Sequence, residues 1–181
     1  MKRLPQVGTQ GTAARAPVAD LLQRALTVHQ QGDLAAAEQL YQKVLQQAPK
    51  QVDALHFLGV IASQRGQHQL SVDLIDQAIA LRPNEASFYS NRGIALKKLG
   101  RTDAALQSFD RALALKPDYP EAHNNRGLTL KELKRIDEAL QSFNSALALK
   151  PDYADAYNNL GTTLQELQRF EEALQSFNSA I

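Results

Sequence analysis

Cysteine is absent from the 181 residues, which excludes disulfides, thiolate chemistry and cysteine-based zinc sites. Its lack fits a reducing compartment. A long apolar run is missing as well. No stretch approaches the roughly 18 residues that a membrane-crossing helix needs, so no membrane partner is expected. Nor is there an excess of one charge. A net charge of +1 argues against a nucleic-acid module, which would be clearly basic. The charge is uneven, from +3 in residues 1–17 and 86–119 to −3 in 154–181, and neighbouring blocks of opposite sign read as solvated faces. Met1-Lys2-Arg3-Leu4 opens like a signal peptide, but Pro5, Gln6, Gly8, Thr9 and Gln10 stand where its apolar core should follow. The chain is expected to be cytoplasmic.

Signals of catalysis are also missing. The four histidines are His29, His56, His68 and His123. None lies four residues from another histidine or a carboxylate on one helical face, as a zinc helix requires. Each reads as a surface or packing residue. The glycines never cluster into a phosphate loop. Glu171-Glu172 reads as a helix start, and Ser108 and Ser142 recur with the period described below, unlike nucleophiles. The expectation is a non-enzymatic chain with no catalytic residue, no metal and no cofactor.

What the sequence does have is a period. Pro49, Pro83, Pro117 and Pro151 are each 34 residues apart, as are Gly59, Gly93, Gly127 and Gly161. Ala78, Ala112, Ala146 and Ala180 keep the same step, and so do Phe109, Phe143 and Phe177. Residues 105–119 and 139–153 differ only at Asp110/Asn144 and Arg111/Ser145. Apolar residues within each unit fall three and four apart, on one helical face. In the unit 86–119, Tyr89, Leu96 and Leu99 mark one helix, and Ala105, Leu106, Phe109, Ala112, Leu113 and Leu115 mark a second. The small residues Gly93, Ala105 and Ala112 let the two axes approach, and Phe109 fills the space beside them. Gly32, Gly66 and Gly100 end first helices, where a left-handed residue is least costly, while Lys134 and Gln168 replace them at about 1 kcal/mol each. Asp103, Asp137, Glu138, Glu171 and Glu172 sit in first turns of second helices and favour the helix dipole. Proline closes each unit. Asp118 and Asp152 are placed to cap the helix that follows.

The order of glycine, alanine, aromatic, alanine and proline resembles the tetratricopeptide repeat. The fit is clearest in Tyr157-x2-Leu160-Gly161-x2-Leu164…Ala173-x3-Phe177. The resemblance implies an all-α fold, a right-handed α-solenoid of about five helix-turn-helix repeats. These run over 18–51, 52–85, 86–119, 120–153 and a truncated 154–181, behind a mobile tail 1–17. Departures are Ala25 for glycine, Ser71 and Ile75 for alanine and an aromatic, and Arg92 and Arg126 for leucine. The two arginines are expected to snorkel over the next repeat and pair with a carboxylate.

In this family the first helices line a concave groove through positions 2, 5, 6, 9, 12 and 13 of each repeat. Position 6 is Asn91, Asn125 and Asn159; position 5 is Ser90, Asn124 and Asn158; position 12 is Lys97, Lys131 and Gln165. A ladder of amides can bond the backbone of an extended peptide, and the lysines would favour acidic side chains on it. The position-6 ladder is similar to that in the tetratricopeptide arm of O-GlcNAc transferases. The carboxylate clamp of chaperone-binding relatives cannot be placed, since Leu22 and Leu26, or His56 and Val60, occupy its first positions.

Three readings of function follow. The first is an interaction scaffold that takes a protein or peptide in the groove. The second is the substrate-recruiting arm of a larger enzyme, since the repeats look like the N-terminal arrays of bacterial SPINDLY-type glycosyltransferases. The third is a self-assembling scaffold, a homo-oligomer joined through Leu174, Phe177 and Ile181 on an uncapped last repeat. The interaction scaffold is the leading expectation.

Overall fold

A computed structural model describes residues 17–180. The expected mobile tail, apart from Pro17, and Ile181 lie outside the described residues. Ten helices follow one another: α1 (Val18–Gln30), α2 (Leu34–Gln47), α3 (Val52–Gln64), α4 (His68–Leu81), α5 (Ala86–Lys98), α6 (Thr102–Leu115), α7 (Pro120–Glu132), α8 (Ile136–Leu149), α9 (Ala154–Glu166) and α10 (Phe170–Ser179). No strand occurs among the described residues. Odd-numbered helices are the first of each pair and even-numbered helices the second. Each helix packs chiefly on its sequence neighbours, so the chain is an α-solenoid.

The turns are set by local chemistry. Every first helix ends in a left-handed residue: Gly32, Gly66, Gly100, Lys134 and Gln168. At each end the left-handed residue and its successor donate back to the last turn, as in Gly100 N–H to Lys97 O at 2.9 Å and Arg101 N–H to Leu96 O at 3.0 Å. Lys134 and Gln168 repeat this pattern despite their side chains, with φ of 62° and 60°. The second helices α2, α4, α6 and α8 each stop two residues before a proline. The intervening residue is extended, with φ near −140° at Arg82 and Lys116, because a following proline disfavours helical backbone.

The capping expectation is corrected. Asp118 and Asp152 cap nothing, because the N-caps of α7 and α9 are Tyr119 and Tyr153. Pro120 takes the first helical position of α7 and has no N–H to be satisfied. Side-chain caps occur at Asp33, which accepts from Ala36 N at 3.0 Å, and at Gln51, which accepts from Asp53 and Ala54.

Close contact within each pair follows the expected logic of a small residue against a large one. A methyl group at Gly93, Gly127 or Gly161 would stand 2.6–2.7 Å from a ring carbon of Phe109, Phe143 or Phe177. At Gly59 it would meet Ile75 at 2.8 Å. In the first pair Ala25 and Tyr41 take the two places, and both are fully buried.

Candidate functional site: the inner face of the first helices

The rows of helices are not equally spaced. α3 and α5, α5 and α7, and α7 and α9 touch directly across repeats, whereas no two successive second helices come as close. A stack tightened along one row curves toward it, so the first helices line the inner face.

Contacts on this face join residues 35 apart, one more than the repeat. The Asn91 amide bonds His56 Nε2 at 2.8 Å, and the Asn159 amide donates to Asn124 Oδ1 at 2.9 Å. Lys97 Nζ lies 3.3 Å from Glu132, and Lys131 Nζ lies 2.9 Å from Glu166. Position 5 of one repeat thus meets position 6 of the next, and position 12 meets position 13.

This changes how the ladder reads. Asn91 and Asn159 each use a donor on a neighbouring repeat. Ser90 and Asn124 are buried, so position 5 is largely a spacer between helices. Lys97 and Lys131 carry glutamate partners, which weakens their expected pull on an acidic ligand. Among the described residues, the ladder amides left without a protein partner are Asn125, half-buried, and Asn158, exposed. At position 9, Leu26, Val60, Ile94 and Leu128 are each only partly covered and run along the face as an apolar line, ending at exposed Thr162.

Toward the N-terminal end the layer beneath the face becomes aromatic. His29 Nδ1 lies 3.3 Å from the Tyr41 hydroxyl. The Phe57 ring stands 5.7 Å from His29 and 5.8 Å from Tyr41, and His56 stacks 4.9 Å from Phe57 and 4.4 Å from Phe88. Burial holds the His56 imidazole neutral and lowers its pKa to about 4; nearby Arg82 and His29 push the same way, against Asp53. Burial also lowers His29, and burial followed by the Asp53 charge raises the Tyr41 hydroxyl to about 12. The sequence marked His56 as a lone histidine at a position where a carboxylate clamp could not be placed. Its signal was the 35-residue step to Asn91.

The expected arginine pairing is present, but toward the preceding repeat. Arg92 Nε donates to Asp76 at 2.6 Å and its Nη1 to Ser108 Oγ at 2.9 Å. Arg126 does the same with Asp110 at 2.6 Å and Ser142 at 2.7 Å. Ser108 and Ser142 are therefore parts of a repeated clamp on the outer side. At the last pair, Leu174 is 61% exposed, as is Phe170, which the sequence reading did not single out. Phe177 is corrected: its ring lies over Gly161 and is half-buried, so it is not open apolar surface. Among the described residues no three histidines or carboxylates come together to hold a metal ion, and no helix is long and apolar enough to cross a membrane.

Tetratricopeptide repeat family models match residues 28–92, 90–154 and 130–181. The chain belongs to the tetratricopeptide repeat family, whose members bind protein or peptide partners. No match is found among curated proteins. Among solved structures, the crystal structure of MamA is 25% identical over 86% of this chain and 91% of its own, with a TM-score of 0.76. YrrB, described as a tetratricopeptide protein with an unusual peptide-binding site, is 24% identical over 93% of this chain and 87% of its own, with a TM-score of 0.73. PilF of Pseudomonas aeruginosa is 22% identical over 90% of this chain and 74% of its own, with a TM-score of 0.81. The last two likenesses are of fold alone.

Proposed function

We propose that the inner face binds an extended segment of another protein, with its backbone on the amides and its side chains on the apolar line. The observation that carries this reading is that Asn125 and Asn158 keep both donor and acceptor without a protein partner among the described residues, on the face that also carries part-exposed Ile94 and Leu128. An amide that both donates and accepts can pair with a peptide unit whatever side chain follows. The solvated part of the apolar line gives the segment somewhere to bury surface. YrrB, similar in fold, is described as having a peptide-binding site, which agrees with a peptide as occupant.

The test selects binders for the chain from a random peptide display library and compares them on wild type and on an Asn125→Ala/Asn158→Ala variant. Neither side chain holds the fold together, so the variant should melt like wild type. Loss of two hydrogen bonds should weaken the selected peptides about tenfold. Peptides selected on wild type that bind the variant undiminished would sink the reading. Asn91 is the wrong residue for this test, because its loss strands the buried His56 nitrogen.

A further inference from the structure

Each first helix after α1 packs between two second helices, and a groove runs over it on the outer face. In two of these grooves an arginine from the floor lies across: Arg92 between Asp76 and Ser108, and Arg126 between Asp110 and Ser142. The groove between α8 and α10, over α9, has the same plan without the arginine. Leu160 stands in its place, with Asn144 and Ser176 on the two walls. The space opens accordingly. Lined at corresponding positions, the cleft is about 320 Å³ at Arg126 and about 530 Å³ at Leu160.

The serine is the residue that calls for an explanation. Over α3, where Leu58 takes the arginine place, the serine place holds Leu74, so an apolar floor meets an apolar wall. Over α9 the floor is apolar but the wall keeps Ser176. Its hydroxyl donates to Glu172 O at 2.9 Å, just as Ser108 and Ser142 donate to the carbonyls of Ala104 and Glu138. What each serine oxygen has left is the capacity to accept. Ser108 and Ser142 use it on an arginine, whereas Ser176 accepts from no side chain among the described residues. Ser176 is also the most open of the three, 7% exposed against 2% for the others.

We propose that this cleft takes an arginine side chain of a partner protein, its guanidinium between Ser176 Oγ and Asn144 Oδ1 and its methylene stem along Leu147 and Leu160. The chain's own Arg92 and Arg126 show the geometry of such an occupant in the equivalent grooves. An acceptor on each wall calls for a ligand that only donates, which excludes a carboxylate or a phosphate. A lysine ammonium only donates too, but it is a compact point charge, whereas the planar guanidinium fork reaches two acceptors at once. The surroundings favour a cation, since residues 154–181 carry a net charge of −3 and Glu172 lines the cleft. Asn144 keeps the acceptor of Asp110 and gives up its charge, so the hold on one arginine is weak and reversible. The cleft lies on the outer face and does not depend on the reading of the inner one.

The test titrates N-acetylarginine methylamide and its lysine counterpart into isotopically labelled chain and follows amide resonances. The arginine probe should give saturable shifts at Asn144, Leu160 and Ser176, and the lysine probe should bind about fivefold more weakly. Ser176→Ala should weaken the arginine probe about fivefold, the effect of one hydrogen bond. Asn144→Asp, which restores the internal pair, should tighten it by about as much. Leu160→Arg should abolish the shifts, because the chain's own side chain then fills the cleft. That variant should fold, since Arg92 and Arg126 stand at the same place in the third and fourth repeats. Equal binding of the two probes overturns the proposal and leaves a diffuse attraction to an acidic end. Undiminished binding to Leu160→Arg, or no saturable shift at these residues, overturns it as well. The probes need no amide ladder, so the outcome is independent of the library experiment at Asn125 and Asn158.

Discussion

The first two helix pairs and the last three share one backbone step but join their first helices by different means. Between the early pairs the joint beneath the inner face is aromatic: the rings of His29, Tyr41, Phe57, His56 and Phe88 pack against one another, Tyr41, His56 and Phe88 being buried. Between the later pairs it is polar, with Asn124 on Asn159, Lys97 on Glu132 and Lys131 on Glu166. The pairing of Asn91 with His56 is the seam, since one partner comes from each half. The two solutions differ in what disturbs them. Packed rings depend on staying neutral and dry, whereas the ion pairs of the later joints are already in contact with water. The repeat therefore fixes where neighbours meet, and the residues at that meeting decide which conditions the joint tolerates.

The largest expected difference is toward acid. The folded chain gives His56 its proton only near pH 4, whereas the unfolded chain does so near 6.5. As pH falls through this window the unfolded chain takes up a proton that the folded chain refuses. Stability is fully present above about 6.5 and is lost down to about 4, by roughly 3 kcal/mol. His29, lowered by the same burial, adds in the same direction. The check is urea unfolding at pH 7 and pH 4.5, in wild type and in His56→Asn. Asparagine is the residue at this position in the fourth repeat, where it holds its partner without titrating. The variant should lose most of the pH dependence. An unchanged slope would show that the early half is no more acid-sensitive than the late half.

A smaller effect separates the halves by packing. In the late pairs the glycine lies so close to the phenylalanine that a methyl at Gly127 would stand 2.6 Å from Phe143, whose ring is fully buried and cannot move aside. Gly127→Ala should cost about 2 kcal/mol in chemical denaturation. Gly161→Ala faces a similar distance, 2.7 Å, but the Phe177 ring is half-buried and can swing outward, so it should cost clearly less. The early half already carries an alanine at this place, Ala25, built in with Tyr41. Equal losses at Gly127 and Gly161 would mean that helix separation, not ring mobility, sets the cost.

Much of the fold was legible because each element was written several times. A glycine against a phenylalanine 16 residues later can be coincidence once; three copies in register cannot. The same redundancy made the left-handed ends readable even where Lys134 and Gln168 hide them. The site was less legible for a geometric reason. Residues that recur every 34 positions invite comparison at 34, but neighbouring first helices are offset, so contacts form at 35. The amide ladder was therefore seen as open when two of its rungs are tied. The caps failed for a similar reason. Asp118 and Asp152 stand one residue before the N-cap, and aspartate chemistry cannot act from there. Ser71 was visible as a departure from the pattern, but only burial shows that its hydroxyl is unpaired.

The smallest effect concerns the outer clamp. Aspartate occurs at Asp76 and Asp110, on the second helix of the repeat that precedes Arg92 and Arg126. Where the arginine becomes Leu58 or Leu160, the matching residues are Gln42 and Asn144, both uncharged. The near-identical second helices of the third and fourth repeats thus differ at Asp110/Asn144 because different residues follow. Both members of the pair reach solvent, so the attraction is screened and should be worth under about 1 kcal/mol. A double-mutant cycle of Arg126→Leu and Asp110→Asn measures it directly. Each single change should destabilise slightly, and the double variant, which copies the Leu160/Asn144 joint, should be milder than their sum. The coupling should shrink in 1 M salt, where the screening length falls to about 3 Å. A coupling well above 1 kcal/mol that survives salt would assign the middle joints a third kind of glue, with the Ser142 hydroxyl as its shielded part.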